Sequence, residues 1–147
     1  MKHILLKHNK IKIGNETIIF PIETTIDKIE YLTNIICFKT SPSEVGLDWS
    51  NKKTHQIWKE RCLKNPSELF CYNRIGELIW KLQYDNVVGF GRIIPELKKE
   101  EDFISSEHYK KYIDKYSGKE LLEVYAGNFR LIVDANTGYI YDKKESR

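Results

Sequence analysis

The sequence predicts an α+β fold that is mainly β, with a twisted antiparallel sheet of about 7–8 strands and one helix at about 105–117. A second helix at about 54–64 is compatible with the sequence. The strands are indicated by LFCYNRIGELIWKLQ at 69–83 and FRLIVDANTGYIYD at 129–142, since each reads apolar stretch, turn with glycine, apolar stretch. The helix is indicated by an apolar stripe with helical spacing. With 147 residues the chain is expected to form a single domain, 1–147.

A β-meander is predicted over residues 2–20, with the strands ILLKH, KIKI and TIIF. Ile11 and Ile13 alternate with Lys10 and Lys12, which is the two-residue period of a strand with one buried face. The chain therefore opens with sheet.

Residues 21–33 allow two conformations. Thr24 or Thr25 can cap a short helix, and the β-branched residues around them suit an extended path equally well. The next stretch, IICFKT at 35–40, has the composition of a strand.

The segment 41–51 is rich in turn-forming residues, contains Trp49 and is predicted to be a loop. If a helix covers 54–64, it ends at Asn65, because Pro66 disfavours the helical conformation of the residue before it.

The hairpin at 69–83 has turn chemistry that fixes its register. Asn73 suits the first position of a type I turn, and Gly76 suits the left-handed position that follows it. Alternation then places Leu78, Trp80 and Leu82 on one face. Trp80 is expected to point into the core.

VVGFGRII at 87–94 is predicted to be a strand whose glycines permit a bulge or a close approach. After it, Ser105 or Ser106 caps the helix, Gly118 ends it, and LLEVYAG at 121–127 returns to strand. The apolar stripe of the helix consists of Tyr109, Tyr112, Ile113 and Tyr116.

The charge and the cysteines favour an ordinary globular protein in a reducing compartment. Twenty-four basic and 21 acidic side chains give a net charge of only +3, which does not favour a nucleic-acid partner. The start of the chain lacks the apolar region of a secretory signal, and no apolar run is long enough to span a bilayer. Cys37, Cys62 and Cys71 lack C-x-x-C spacing. We expect a cytoplasmic protein without a membrane partner.

No catalytic or metal-binding pattern stands out. His3, His8, His55 and His108 form no H-x-H, H-E-x-x-H or cysteine–histidine cluster. GFG at 89–91 does not open a helix, so it lacks the geometry of a phosphate loop. We therefore expect no enzyme, no metal and no cofactor. A small histidine-dependent ribonuclease and a small nucleic-acid-binding protein remain alternatives.

Three segments together suggest a family. A group of small bacterial β-sheet proteins is similar to this chain over most of residues 19–143, in the segments FPIETTIDKIEYLTNIICFKTSP, LFCYNRIGELIWKLQ and LLEVYAGNFRLIVDANTGYIYDKK. Some members of that group resemble immunity proteins of contact-dependent or other polymorphic toxin systems. The resemblance implies a non-enzymatic protein that binds a cognate protein toxin and neutralises it by occluding the toxin's active or substrate-binding site.

Partner binding is expected in two insertions, at about 43–66 and 95–118, because loops on a constant sheet carry specificity. Acidic side chains can pair with basic residues lining a nuclease-like toxin, and a tryptophan can supply an apolar anchor. The predicted partner-binding residues are Glu96, Glu100, Glu101, Asp102, Trp49 and Trp58. A binding or accessory protein of another kind, such as one from a phage or mobile element, is the alternative.

Overall fold

The computed structural model describes residues 3–145, in which the chain forms three antiparallel sheets and two helices. The N-terminal sheet contains β1 (His3–Lys7), β2 (Lys10–Ile13) and β3 (Glu16–Ile19). The central sheet contains β4 (Thr24–Tyr31), β5 (Ile35–Pro42), β6 (Leu69–Asn73) and β7 (Leu78–Lys81). The C-terminal sheet contains β8 (Val87–Ile93), β9 (Leu121–Ala126), β10 (Phe129–Asp134) and β11 (Ile140–Glu145).

Each four-stranded sheet is a meander with one helical insertion. Helix α1 (Thr54–Lys64) lies between β5 and β6, and α2 (Ser106–Tyr116) lies between β8 and β9. Two 3₁₀ turns, Pro95–Leu97 and Glu100–Asp102, precede α2. The predicted mainly-β character is confirmed.

The prediction of one continuous sheet of about 7–8 strands is wrong, because the described residues form eleven strands in three stacked sheets. The central sheet is apolar on both faces, and all residues from Ile35 to Thr40 on β5 are buried. A sheet with two apolar faces must be covered on both sides. The other two sheets provide those covers.

One core lies between the central and N-terminal sheets, where Phe38 and Tyr72 pack with Ile11 and Ile13. A second core joins the central sheet to the C-terminal sheet and contains Trp80. Helix α2 covers part of the outer face of the C-terminal sheet, where its Tyr116 packs with Leu121 and Ile132 of the strands beneath. The resulting order of layers is N-terminal sheet, central sheet, C-terminal sheet, helix.

Residues 24–31 take the extended alternative rather than the helical one. They form β4, which pairs with β5 from Thr24 to Tyr31. A bulge between Asp27 and Ile29 interrupts the register, and Lys28 adopts a φ of +49° there. The pairing with β5 decides between two local preferences that the sequence leaves balanced.

The hairpin at 69–83 is core scaffold, as predicted. Asn73 Oδ1 accepts hydrogen bonds from the amides of Ile75 and Glu77, and Gly76 has a φ of +94°. Trp80 is only 8% exposed, and its Nε1 donates to the carbonyl of Ala135 at 2.8 Å.

The expectation that Leu78 shares the buried face is wrong. Leu78 pairs with Tyr72, whereas Trp80 pairs with the adjacent Cys71, so two residues of β7 span one step of β6. Such a bulge breaks the alternation of faces. Leu78 and Ile79 are both exposed as a result.

Both predicted helices are present. Helix α2 is capped by Ser105, whose Oγ accepts from the amide of His108 at 3.2 Å. Helix α1 ends at Lys64, and the amide of Asn65 donates to the carbonyl of Arg61. No helix in residues 3–145 is long and apolar enough to cross a membrane.

Candidate functional site

A cleft lies on the outer face of the C-terminal sheet, beside the 3₁₀ turns, and has a volume of about 580 Å³. Gly89 and Gly91 of β8 lie opposite Tyr125 and Glu123 of β9. Because the glycines have no side chains, the floor of the cleft is low and the two β9 side chains form a wall. Leu97 of the first 3₁₀ turn lies at the rim and is 71% exposed.

A smaller recess of about 300 Å³ adjoins this cleft and shares Ile93, Lys98, Asp102 and Glu123 with it. It extends towards α2. Its further lining residues are Phe103, Tyr112, Tyr116, Arg130, Ile132, Asp142 and Lys144. The two cavities together form one groove that changes from partly apolar to strongly charged.

Glu123 lies at the centre of this groove and is engaged by two donors. Arg130 Nη2 donates to its Oε2 at 2.7 Å, and the Tyr125 hydroxyl donates to its Oε1 at 2.6 Å. Burial opposes ionisation of Glu123, but these two hydrogen bonds outweigh it and lower its pKa. The bond to Glu123 raises the pKa of Tyr125.

This network suits binding better than acid–base catalysis. A carboxylate with a lowered pKa that is paired with a guanidinium is a weak base, and both oxygens of Glu123 already accept hydrogen bonds. The groove therefore presents fixed charges and hydrogen-bonding groups to a ligand.

Two of the predicted partner-binding acids hold the 3₁₀ turns to α2. Glu96 Oε1 accepts from the Gly118 amide at 2.7 Å and from Ser117 Oγ at 3.4 Å. The backbone hydrogen bond from Gly118 lowers the pKa of Glu96. Glu100 accepts a hydrogen bond from Ser106 Oγ at the other end of the helix.

The remaining two acids differ in their surroundings. Asp102 Oδ2 accepts from the Lys99 amide at 3.0 Å, and the same residue lines both parts of the groove. The side chain of Glu101 is exposed and forms no hydrogen bond or ion pair with any residue from 3 to 145. Glu101 is thus the acid in this group with no internal role.

The predicted tryptophans form a separate aromatic cluster at the other insertion. The ring centroids of Trp49 and Trp58 are 6.1 Å apart, and Trp49 also contacts His55 edge-on at 5.4 Å. Trp49 is 44% exposed. Within residues 3–145, no hydrogen bond, ion pair or ring contact joins this cluster to the two 3₁₀ turns, Pro95–Leu97 and Glu100–Asp102.

The edge of the C-terminal sheet beside the cleft is closed by a lysine. Strand β8 is the terminal strand of its sheet, and Lys28 of β4 donates to the carbonyl of Phe90. A lysine over an edge strand opposes the addition of a further strand. A ligand that approaches the edge of β8 at Phe90 therefore meets the Lys28 side chain rather than a free carbonyl.

The histidines are dispersed. His8 Nε2 lies 2.8 Å from the carbonyl of Ile22, His108 Nδ1 lies 2.6 Å from Ser105 Oγ, and His3 contacts the ring of Tyr31. The described part of the chain contains no group of three or more residues able to hold a metal ion.

Several residues of the groove are absent from the predicted set, namely Leu97, Glu123, Tyr125 and Arg130. The spacing of Gly89 and Gly91 on one strand face carried a signal, because two glycines at alternate positions leave that face without side chains. The sequence around these glycines does not show that β9 is the strand that pairs with them.

Neither protein-family models nor searches of curated proteins and of solved structures give a match to this chain.

Proposed function

We propose that this protein is a non-enzymatic, immunity-type binding protein that neutralises a cognate bacterial toxin by occluding the toxin's active or substrate-binding site. The resemblance of its strands and turns to immunity-type β-sheet proteins supports the class of partner. One structural observation carries the choice of surface: the exposed Leu97 lies at the rim of the 580 Å³ cleft, next to the 3₁₀ turns that carry Glu96, Glu100, Glu101 and Asp102.

The surface has the composition expected of a protein interface. Leu97 and Ile94 are exposed apolar side chains at the cleft, and Lys98, Glu101 and Asp102 are charged neighbours in the same segment. Protein interfaces combine an apolar centre with a polar rim. Leu97 supplies the centre, and Glu101 and Asp102 supply charges that can pair with basic residues of a nuclease-like toxin.

An immunity function predicts that the gene immediately upstream encodes a toxin-like protein, and the test uses that protein. Calorimetric titration measures its affinity for this protein, and co-expression measures protection from its toxicity. Leu97→Asp is expected to weaken binding by about 2 kcal/mol, or about thirtyfold, and to reduce protection. Ile75→Asp is the matched control, since Ile75 is 58% exposed at the tip of the scaffold hairpin.

Glu101→Lys tests the charge contribution without disturbing the 3₁₀ turns. We expect slower association with the toxin and a weaker dependence on salt. Triple charge reversal at Glu100, Glu101 and Asp102 extends this test to the predicted acidic group. Trp49→Ala tests the tryptophan cluster.

Three results would contradict the proposal in different ways. Unchanged affinity of the Leu97 and Glu101 variants, with loss in Trp49→Ala, would move the interface to the tryptophan cluster. Failure to bind or neutralise the toxin would remove the immunity function. RNA hydrolysis by the isolated protein that is lost on His→Ala substitution would establish an enzyme instead.

A further inference from the structure

Two of the three cysteines face each other across neighbouring strands in the middle of the molecule. Cys37 of β5 and Cys71 of β6 are directly paired in the register of the central sheet. Their sulfur atoms are 2.8 Å apart, and both residues are fully buried in the core between the central and C-terminal sheets. Cys62, on α1, is half-buried and does not belong to this core.

We propose that Cys37 and Cys71 form a disulfide, so that the protein has an oxidised state with a covalent link between β5 and β6. Directly opposed residues of antiparallel strands have Cα atoms about 4.5–5.5 Å apart, and disulfides span Cα separations of about 4.4–6.8 Å. The S–S bond is about 2.05 Å long, so the two sulfurs need to approach by less than one ångström. The strands can therefore keep their pairing.

The surroundings tolerate oxidation. In the reduced state Cys71 Sγ lies 3.6 Å from the carbonyl of Ala135, but that carbonyl also accepts the stronger hydrogen bond from Trp80 Nε1. Loss of the thiol proton of Cys71 leaves the buried carbonyl satisfied. The only hydrogen-bond partner of Cys37 Sγ among the described residues is Cys71 Sγ.

The oxidant in this proposal is a low-molecular-weight disulfide such as oxidised glutathione. One protein thiolate attacks it, forming a mixed disulfide and releasing one glutathione thiolate, which takes up a proton. The second protein thiolate attacks the mixed disulfide at the protein sulfur and releases the second glutathione. Two electrons pass from the protein thiols to oxidised glutathione, which becomes two molecules of reduced glutathione.

The buried position determines when this exchange occurs. The hydrogen bond with Cys71 and the burial of the site raise the pKa of Cys37, so the folded protein holds little thiolate there. Exchange is expected while the chain folds or when the sheet opens. Once formed, the disulfide is inaccessible to reductants in the folded state, and it links two residues 34 positions apart around the α1 insertion.

The experiment refolds the reduced, denatured chain in a mixture of reduced and oxidised glutathione. Free thiols are then trapped by alkylation under denaturing conditions, and the cysteines are mapped by mass spectrometry. We expect a Cys37–Cys71 link, the loss of two hydrogen atoms in mass, and an alkylated Cys62. The variant Cys62→Ala should give the same link, whereas Cys37→Ala and Cys71→Ala should abolish it.

A second measurement requires no variant. The oxidised wild-type protein should unfold at a higher urea concentration than the reduced protein, and this shift should disappear when the denatured chain is reduced and refolded without oxidant. The proposal is overturned if Cys37 and Cys71 emerge from oxidative refolding as free thiols or glutathione adducts. It is equally overturned if links to Cys62 predominate.

Discussion

Gly138, in the turn between β10 and β11, packs against the Trp80 ring. Adding one methyl group at Gly138 tests this contact. Gly138 has a φ of +78°, and a Cβ atom at this residue would lie 2.8 Å from Cδ2 of Trp80. The hydrogen bond from Trp80 Nε1 to the carbonyl of Ala135 opposes movement of the indole away from this Cβ atom. Gly138→Ala must therefore adopt a left-handed conformation and also displace a buried ring.

The two costs can be separated with a matched variant. A left-handed conformation costs a residue with a Cβ about 1–2 kcal/mol, and forcing extra volume into a packed site costs typically about 1–3 kcal/mol. Gly118 also has a φ of +78°, but nothing lies within 4 Å of its Cβ position. We expect Gly118→Ala to lower the free energy of unfolding by about 1–2 kcal/mol and Gly138→Ala to lower it by the sum of both costs, about 2–5 kcal/mol.

Urea unfolding followed by far-ultraviolet circular dichroism measures both losses. In a Trp80→Leu background the ring is absent, so the cost of Gly138→Ala should fall to that of Gly118→Ala. Equal costs for Gly138→Ala in the two backgrounds would refute the contact between the hairpin turn and Trp80. Equal costs of the two alanine variants in the wild-type background would refute it as well.

Two further predictions concern α2 and the groove. Ser105→Ala removes the N-cap of α2 and should lower the free energy of unfolding by about 1 kcal/mol, whereas Ser105→Asp should retain most of the stability; urea titration measures both. Hydrogen bonds from Arg130 and Tyr125 lower the folded-state pKa of Glu123, so its stabilisation is present above the unfolded-state pKa and is lost as the pH falls through the folded value. Between about pH 6 and about pH 3 the free energy of unfolding should fall less in Glu123→Gln than in the wild type, and an identical slope would contradict the role of this network.

The sequence is most informative at turns and helix caps, where the type of a residue determines the local backbone conformation. Asn73 with Gly76, and Asp134 with Gly138, specify two hairpin turns through side-chain acceptors and positive φ angles, and both turns are present. Ser105 specifies the start of α2 in the same way. These signals require no knowledge of distant parts of the chain.

The division into three sheets could not be predicted in this way. Alternation shows that a strand has an apolar face, but it does not say which sheet covers that face. IICFKT has apolar side chains on both faces, as expected of a strand in a sheet that is covered on both sides. The segment 21–33 shows the same limitation, since pairing with β5 makes its residues 24–31 extended.

In the candidate site, local features are predictable from the sequence, whereas contacts between distant residues are not. The sequence places the acids at 96–102 in one insertion, and all of them are exposed, but it does not show that Glu96 and Glu100 bond to the two ends of α2. Likewise, the pairing of Gly89 and Gly91 with Tyr125 and Glu123 joins residues more than thirty positions apart.

The position of the groove follows from the way α2 covers the C-terminal sheet. The chain leaves the sheet at Ile93 and returns at Leu121. The tyrosines of the intervening helix pack on residues of β9, β10 and β11, and on β8 they reach Ile93 at the end of the strand. The outward positions of β8 at Gly89 and Gly91 carry no side chain and lie outside the helix contacts. An uncovered strip is therefore left beside the turns that carry Leu97 and Glu101. Because those turns are anchored to both ends of α2 by Glu96 and Glu100, a partner in the groove would meet a preformed surface, which lowers the entropic cost of binding.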